Sequence, residues 1–336
     1  MAVRMKDIAD DLGVSLMTVS KALRNHSDIS EKTRNRVLKR MRELNYQPDW
    51  IARSMVTGRT YVVGLVLPDL MHSFFAEVAK GVARKLQPLG YQVVISDTEE
   101  DGDVESRQVD VLVNRKVDGL IIASAQRKGQ LQLFEMLEQH KTPYVLIDRM
   151  LAGTEANYVG VKDDELGALA TEHLIEQGCQ RIAHIRGPAV ATGTGRLRGY
   201  RRALARHGMT PNAAHIITGQ YGDNTGYDAM RELLKTDPRP DGVFCYNDPV
   251  AAGAIKAILE ANLRVPEDIA VIGAGNVHYS DLLRIPLSTV DQSSSTIGET
   301  AADLLVKCMD SQNPNGTRHI FIPPRLVIRD SSRRKG

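Results

Sequence analysis

From Tyr61 onward, short β-rich runs alternate with amphipathic helical stretches, and this alternation restricts the possible folds more than any other feature of the chain. The strand-like runs are Tyr61–Leu67, Tyr91–Ser96, Gly119–Ala123, Tyr144–Asp148, Arg181–Arg186, His215–Gly219, Gly242–Tyr246 and Ile269–Gly273. The helical stretches between them include Phe74–Gln87, Ser106–Arg115, Glu165–Gln177, Leu197–His207, Thr225–Lys235 and Val250–Ala261. Alternating βα units predict doubly wound parallel sheets, with helices on both faces. The runs are too many for one compact sheet and break near Val161, so we predict two similar lobes.

The chain before Tyr46 follows a different pattern, that of three short helices. An apolar stripe that includes Ile8 and Leu12 predicts a first helix that ends at Gly13. Ser15 and Ser30 are predicted to cap the second and third helices. Two short helices joined by a tight turn, with a third that buries their apolar sides, form a helix-turn-helix unit.

The outer face of the second helix carries the residues best placed to contact DNA. Near its N-terminal end this face presents Leu16, Met17, Ser20 and Lys21. Such positions can reach base edges in the major groove, where an apolar side chain can contact a thymine methyl group. Phosphate contacts are expected from Arg24, Lys32, Arg34 and Arg36. The alternatives are an idle three-helix cap and, for each basic residue, a solvated surface charge.

Charge is distributed unevenly along the chain. Residues 1–59 carry twelve Lys and Arg against seven Asp and Glu, a balance of +5; the whole chain carries +2, which leaves −3 for the rest. A basic head on a mildly acidic body predicts that a polyanion binds at one end only. Cys179, Cys245 and Cys308 lack metal-ligand spacing and predict free thiols in a reducing compartment. With no signal peptide or membrane span in the sequence, we expect a cytoplasmic protein that binds no metal, cofactor or membrane.

The segment between head and body is predicted to be a helix of only two turns. Pro48 suits the first helical position, and Gly58 is a natural stop. Between them Ile51, Ala52 and Met55 fall at helical spacing. Because nucleation costs more than so few hydrogen bonds return, a helix this short is ordered only when something packs against it. We therefore predict that this segment acts as a switch.

Short motifs follow one another in a fixed order along the head and the segment after it. They are Lys6-Asp7-Ile8-Ala9, Gly13-Val14-Ser15, Thr18-Val19-Ser20, Ser30-Glu31-Lys32-Thr33-Arg34, Leu44-Asn45-Tyr46-Gln47-Pro48 and Ala52-Arg53-Ser54. In this order they resemble the lactose/galactose repressor (LacI/GalR) family. The resemblance implies DNA contacts at Lys6, Ser15, Leu16, Met17, Thr18, Ser20, Lys21, Arg24, Thr33, Arg34, Tyr46, Ala52, Arg53 and Met55. Arg4 departs from the family, which usually has a capping Thr there.

The resemblance also implies how the two-turn segment acts. In that family, the hinge helices of a dimer pair in the minor groove at the operator centre, and each inserts a Leu between base steps. Met55 occupies the matching position here, as an apolar wedge of similar volume. Unstacking a step costs a few kcal/mol, which the contacts of a bent duplex offset, and flexible pyrimidine–purine steps lower that cost. Met55 as an ordinary core residue of a linker is the alternative.

Further motifs extend the resemblance over the body. They are Gly64-Leu65-Val66-Leu67-Pro68, Asp118-Gly119-Leu120-Ile121, Thr171-Glu172-His173-Leu174-Ile175, Arg196-Leu197-Arg198-Gly199-Tyr200 and Asn262-Leu263-Arg264-Val265-Pro266-Glu267-Asp268. The body thus resembles the sensor half of these repressors, which is related to periplasmic sugar-binding proteins. We expect a DNA-binding domain over 1–47, a hinge helix over 48–59, an N-terminal lobe over 60–161 and 291–320, and a C-terminal lobe over 162–290 and 321–336.

By the same resemblance, a small-molecule effector would lie between the lobes, at the carboxyl ends of the strands. We expect effector contacts at Phe74, Phe75, Asp148, Arg149, Lys162, Thr192, Arg196, Tyr221, Asn247, Asp248, Asn276 and Gln292. Charged and amide groups beside an aromatic face suit a polyol, which offers hydroxyls and a C–H face. The alternatives are ordinary lobe packing for each aromatic residue and an interlobe salt bridge for Arg196.

Two departures from the family concern the charge of this cleft. Gly275 occupies a site that is usually acidic, and Lys162 follows Val161 where an acidic residue is common. Fewer acids and an added Lys predict a more positive cleft. This leads to the hypothesis that the effector is an acidic or phosphorylated sugar, or another small anion.

The alternative functions have little support in the sequence. The Gly-rich stretch from Gly193 to Gly199 is a near miss to a dinucleotide fingerprint, because Arg198 stands where a Gly is required. No nucleophile elbow or zinc-protease motif is present. A cytosolic sugar-binding or sugar-modifying α/β protein without a regulatory role remains the alternative. We predict a non-enzymatic, ligand-responsive repressor, a homodimer on a palindromic operator, because one head covers half a site.

Overall fold

The computed structural model describes residues 3–23, 28–46, 58–127, 129–219, 224–310 and 316–334. It divides into two units, Met1–Thr60 and Tyr61–Gly336. Residues 48–57 of the predicted hinge helix, with Ala52, Arg53 and Met55, lie outside the described residues, as do Arg24 and Tyr221.

The head contains three helices, α1 (Met5–Leu12), α2 (Leu16–Leu23) and α3 (Glu31–Glu43). Their apolar faces meet in a small core in which Ile8, Val19 and Val37 are fully buried. The predicted end of α1 at Gly13 is confirmed, since this residue adopts a left-handed φ of 65° that a side chain would disfavour.

Side-chain caps set where these helices begin. Ser15 Oγ accepts from the Thr18 backbone N–H at 3.1 Å, and Ser30 Oγ accepts from the Thr33 N–H at 3.2 Å. Both predicted caps are therefore confirmed. At α1, the Arg4 side chain caps nothing, but the Arg4 backbone N–H donates to Asp7 Oδ2 at 2.7 Å, which supplies half of a capping box.

The body contains two sheets and eight helices among the described residues. Its strands are β1 (Val62–Leu67), β2 (Gln92–Asp97), β3 (Gly119–Ile122), β4 (Tyr144–Ile147), β5 (Asn157–Gly160), β6 (Ile182–Arg186), β7 (Ile216–Thr218), β8 (Gly242–Cys245), β9 (Ala270–Gly275), β10 (Ser288–Asp291), β11 (His319–Phe321) and β12 (Arg325–Val327). Its helices are α4 (Ser73–Leu86), α5 (Gly102–Asn114), α6 (Gln132–Gln139), α7 (Asp163–Glu176), α8 (Ala191–Arg206), α9 (Thr225–Leu233), α10 (Asp248–Glu260) and α11 (Ser294–Asp310). One-turn 3-10 helices cover Gln87–Leu89 and Ala213–His215.

The two sheets have matching strand orders, β11-β5-β4-β3-β1-β2 in one and β12-β10-β9-β8-β6-β7 in the other. The first sheet and its helices form the N-lobe, and the second sheet and its helices form the C-lobe. Every strand pair is parallel except β10 with β12. Because helices cover both faces of a parallel sheet, its strands read as continuous apolar runs. In β1, for example, Leu65, Val66 and Leu67 are all fully buried.

The chain crosses between the sheets three times, after β5, after β10 and between β11 and β12. Asp291 ends β10 in the C-lobe sheet, and Phe321 ends β11 in the N-lobe sheet. These two strand ends lie within one residue of the lobe boundaries expected from the family resemblance. Strand ends are set by sheet pairing with distant residues, which a local motif does not report.

Candidate functional site

A cavity of about 220 Å³ lies between the lobes, at the carboxyl ends of the strands. Eight predicted effector contacts line it, namely Phe74, Phe75, Asp148, Arg149, Thr192, Arg196, Asn247 and Gln292. It is also lined by residues that the sequence did not single out, namely Asp69, Met71, His72, Glu100, Pro188, Tyr246, Pro249, Val250 and Tyr279. No group of three metal-ligating side chains occurs in the described part of the chain, and no helix there is long and apolar enough to cross a bilayer.

An aromatic wall is formed where α4 begins. Phe74 and Phe75 are nearly fully buried and pack edge to face, with ring centroids 5.1 Å apart. The His72 ring lies 5.8 Å from Phe75 and extends this wall. An apolar wall of this kind can take the C–H face of a ligand, while the polar side chains around it orient its hydroxyls.

Arg149 is the main cation of the N-lobe side. Its Nη1 and Nη2 atoms donate to the two carboxylate oxygens of Glu100 at 2.6 and 2.5 Å. Burial alone lowers the pKa of Arg149, but its hydrogen bonds and charge interaction with Glu100 outweigh this and raise it. The Nε atom is buried without a hydrogen-bond partner among the described residues, and the nearest Asp148 oxygen is 3.7 Å away. Arg149 is thus held in place and keeps one donor unused.

Arg196, on α8, joins three segments of the chain. Its Nε donates to Asp163 Oδ1 at 2.9 Å, Nη1 to the Tyr246 carbonyl at 2.5 Å and Nη2 to Gln292 Oε1 at 2.9 Å. Asp163 follows the first crossing and Gln292 follows β10 at the second. Burial raises the pKa of Asp163 to about 6, and Arg196 partly offsets that rise. Arg196 therefore fixes the floor of the cleft where the lobes are joined.

Lys162 does not supply the positive charge that was predicted for the cleft. Lys162 does not line the cavity, since its Nζ lies 2.9 Å from Glu165 Oε1 and the side chain is half exposed. Lys162 stands at the N-cap of α7, which directs its side chain along that helix toward Glu165. The cavity lining instead carries three carboxylates, Asp69, Glu100 and Asp148, against two guanidinium groups. The lining thus gains no cation from Lys162, and the Arg149 guanidinium group is neutralised by Glu100.

Two other predicted contacts also lie outside the cavity lining. Asp248 is fully buried and accepts hydrogen bonds from Ser280 Oγ at 2.8 Å, Val277 N–H at 3.0 Å and Thr289 Oγ1 at 2.5 Å. Asn276 Oδ1 accepts from Arg329 Nη2 at 2.8 Å. Both side chains join loops and strands of the C-lobe. The family resemblance implied a ligand contact at Asp248, and one was expected at Asn276, but the Asp248 carboxylate and the Asn276 amide oxygen are hydrogen-bonded inside the lobe.

Two helix caps face each other across the cleft. His72 Nδ1 accepts from the Phe74 N–H at 3.3 Å, and Asn247 Oδ1 accepts from the Val250 N–H at 2.9 Å. The free ends of the two side chains, His72 Nε2 and Asn247 Nδ2, are 3.0 Å apart. His72 was missed because the sequence places its nine histidines singly; its position just before Phe74 at a helix start was the available signal.

The head keeps most of its predicted contact residues accessible. Leu16 and Met17 are 51% and 59% exposed, although both are large and apolar. Lys6 and Ser15 are exposed, and partial exposure is found for Thr18, Ser20, Lys21, Thr33, Arg34 and Tyr46. Lys21 Nζ is paired with Asp28 Oδ2 at 2.5 Å, so a contact from Lys21 to DNA requires that this pair opens.

Comparisons with known proteins match both the head and the body of this chain. Residues 4–49 match the family of bacterial regulatory proteins named lacI, and residues 171–332 match a periplasmic binding protein-like domain. The ribose operon repressor of Escherichia coli (strain K12) is 35% identical over 332 residues, 98% of this chain and 99% of that protein.

Solved structures of similar proteins cover the chain equally well. A Lac repressor dimer bound to operator and the anti-inducer ONPF superimposes with a TM-score of 0.84 at 28% identity, covering 98% of this chain and 99% of that one. A complex of the transcriptional regulator CelR with cellobiose gives a TM-score of 0.74 at 29% identity, with the same shares of the two chains covered.

Proposed function

Because the chain belongs to the LacI family of bacterial regulatory proteins, we propose that it represses transcription as a homodimer on a two-fold symmetric operator and responds to a neutral sugar bound between its lobes. It is a ligand-responsive DNA-binding regulator and not an enzyme, as its relatives over nearly the whole chain are repressors. We place it in the bacterial cytoplasm, on the nucleoid when it is bound to DNA.

The main support for DNA recognition comes from the residues on the outer face of α2. Leu16 and Met17 are exposed side by side at the N-terminal end of a helix in a basic head. Exposed apolar residues in such a position suit thymine methyl groups, while the surrounding cations neutralise phosphates. The exposure of Ser15 and Lys6 is consistent with the same docking face.

Two apolar surfaces of the body support a homodimer. Leu282 is 77% exposed beside a shallow groove lined by Ile255, Leu259, Leu283 and Ile285 in the C-lobe. In the N-lobe, β2 is an edge strand that exposes Val94 and Ile95 by 39% and 44%. Uncovered edge strands and apolar grooves promote association. We propose that a second copy covers both surfaces, which places two heads on two half-sites.

The cleft favours a neutral polyol as effector. Asp148, Arg149 and Asn247 offer donors and acceptors to hydroxyl groups, and Phe74 and Phe75 offer an apolar wall. The ion pair with Glu100 neutralises Arg149, and Lys162 lies outside the lining, so neither cation favours an anionic ligand. The cavity of about 220 Å³ suits a small ligand. The ribose and cellobiose in the names of the relatives are also neutral sugars.

Coupling between cleft and DNA is proposed to pass through the hinge. Paired hinges can fold as helices in the minor groove, with Met55 inserted between base steps. Separated hinges lose that order, and the heads then bind independently. The effector must bind one lobe arrangement more tightly than the other, because equal affinity for both would shift nothing.

Binding-site selection from random DNA, followed by gel shifts with and without a panel of neutral and acidic sugars, tests this proposal. We expect selection of a palindrome, a protein–DNA stoichiometry of two chains per site, and a neutral sugar that changes operator affinity. The sugar-binding alternative without a regulatory role predicts no sequence selection. If only acidic sugars changed operator affinity, the proposal of a neutral effector would be rejected.

A further inference from the structure

The two facing helix caps of the cleft, His72 and Asn247, have a hydrogen-bonding conflict between them. His72 precedes α4 in the N-lobe, and Asn247 precedes α10 in the C-lobe. Their free ends lie 3.0 Å apart, a hydrogen-bonding distance. Such a contact is favourable only if one of the two nitrogens accepts.

The cap on α4 determines the protonation of His72. The Phe74 N–H donates to Nδ1 at 3.3 Å, which favours the tautomer in which Nδ1 carries no proton. Burial lowers the pKa of His72 to about 4, with Arg196 and Arg149 adding to that shift against Asp69, so the ring is neutral at pH 7. A neutral ring holds one proton, and with Nδ1 unprotonated that proton is on Nε2. His72 therefore points an N–H donor at Asn247.

The cap on α10 determines the orientation of the Asn247 amide. Its Oδ1 accepts from the Val250 N–H at 2.9 Å, as expected at an N-cap. Turning the amide over would remove this cap. The group that faces His72 is therefore the NH₂ group, which only donates. Two donors, one from each lobe, thus point at each other with no acceptor between them.

We propose that His72 and Asn247 donate together to a single oxygen of the bound effector, and that this shared oxygen draws the two lobes together. This rests on the proposed sugar-responsive function. A ring, carbonyl or hydroxyl oxygen of a neutral sugar has the two lone pairs that accept from both donors. Without it, the donors repel each other and favour a wider cleft. Ligand binding thereby distinguishes the two lobe arrangements, as coupling requires.

The first experiment measures the His72 tautomer in the full-length, ligand-free protein by ¹⁵N NMR of labelled histidine side chains. The His72→Asn variant identifies the signal by its loss. We expect an unprotonated Nδ1 and a protonated Nε2 at pH 7, with no titration between pH 8 and pH 5.5. A proton on Nδ1 would mean that Nε2 accepts from Asn247, and the proposal would be overturned.

The second experiment exchanges a donor for an acceptor while keeping the cap. Asn and Asp are both good N-caps of similar size, so His72→Asn and His72→Asp retain the start of α4 equally. Asn can still donate across the cleft, whereas Asp presents an acceptor that pairs with Asn247 and leaves nothing for the ligand oxygen. By calorimetry with D-ribose, D-glucose and cellobiose, we expect H72D to bind the active sugar about tenfold or more weakly than H72N.

Asn247→Asp makes the same exchange from the other lobe. It keeps the cap on Val250 and gives the His72 N–H an acceptor, so it also weakens sugar binding by about tenfold or more. Equal affinity of H72D and H72N would refute the shared oxygen. If the wild-type protein bound none of these sugars, the sugar-responsive function would fail, while the NMR result would still decide whether the cleft contains two opposed donors.

Discussion

Arg149 and Glu100 form a two-pronged ion pair inside the cleft, with N–O distances of 2.5 and 2.6 Å. The pair links residues 49 positions apart, and both side chains are nearly buried. Glu100 neutralises Arg149 and fixes the plane of its guanidinium group, so the cation can orient a hydroxyl without attracting an anion. We therefore propose that the ligand preference of the cleft depends on Glu100 as much as on Arg149.

Removal of Glu100 is expected to weaken both the fold and effector binding. Glu100→Ala removes both hydrogen bonds from the buried Arg149 guanidinium group to a carboxylate and leaves Asp148, 3.7 Å away, as its nearest carboxyl group, which costs about 3–5 kcal/mol in the free energy of unfolding of the body. We expect effector affinity to fall about tenfold or more, and a shift of preference toward acidic sugars. Calorimetry and thermal melts measure both. Glu165→Gln, in the exposed pair with Lys162, is the control, and equal effects of the two variants would contradict this role.

Loss of Lys162 is expected to leave effector binding unchanged within about twofold. Its Nζ pairs with Glu165 on a half-exposed surface, and such pairs contribute about 0–1 kcal/mol. Calorimetry of the Lys162→Met variant with the same sugars tests whether the Lys162 charge contributes to effector binding. A tenfold or greater loss of effector affinity would instead show that Lys162 contacts the effector.

The apolar pair on α2 is expected to determine operator selectivity. Leu16→Ser combined with Met17→Ser removes contacts worth about 1–3 kcal/mol, a factor of about 5 to 150 in operator affinity. Both side chains are exposed, so the thermal stability of the head should not fall. Gel shifts with the selected operator and a scrambled duplex measure the effect.

Ile8→Ala serves as the contrasting variant for the head. Ile8 is fully buried, so the truncation costs about 2–5 kcal/mol, which a unit this small cannot tolerate. We expect loss of all operator binding with sugar binding retained. If the double Ser variant behaved like Ile8→Ala, its effect would reflect unfolding and not DNA contact.

The stability of the body is expected to depend on pH through Glu105. Burial raises the pKa of Glu105 from 4.5 to about 7, although hydrogen bonds from Ala125 N–H and Ser124 Oγ oppose the rise. A carboxyl group with a raised pKa costs the folded state nothing below pH 4.5, and its cost grows as pH rises to about 7.

Glu105→Gln removes this titration. We expect it to raise the free energy of unfolding at pH 8 by about 2–4 kcal/mol relative to its effect at pH 4.5. Urea unfolding of both proteins at the two pH values measures this difference. An equal effect of the substitution at both pH values would exclude Glu105 as the titrating group.

Local sequence accounted for the elements that depend on nearby residues. The caps at Ser15 and Ser30 and the stop at Gly13 are contacts within a few positions, and all three were predicted. By contrast, α8 begins at Ala191, whereas the predicted helix begins at Leu197. Gly193 and Gly195 disfavour a helix locally, so the local sequence does not indicate the earlier start. Those glycines are required by packing, since a Cβ at Gly193 would lie 2.2 Å from the Pro188 carbonyl oxygen.

The order of residues by itself determined the two-lobed α/β body, the helix-turn-helix head and, through the family resemblance, eight of the seventeen residues that line the cleft, because periodicity, caps and motifs are short-range properties. Only the tertiary structure decided that Glu100 pairs with Arg149, that Lys162 turns along α7, that Asp248 is used inside the C-lobe and that His72 opposes Asn247. These contacts join residues far apart in sequence, and their charges and hydrogen bonds have meaning only once folding has set their distances.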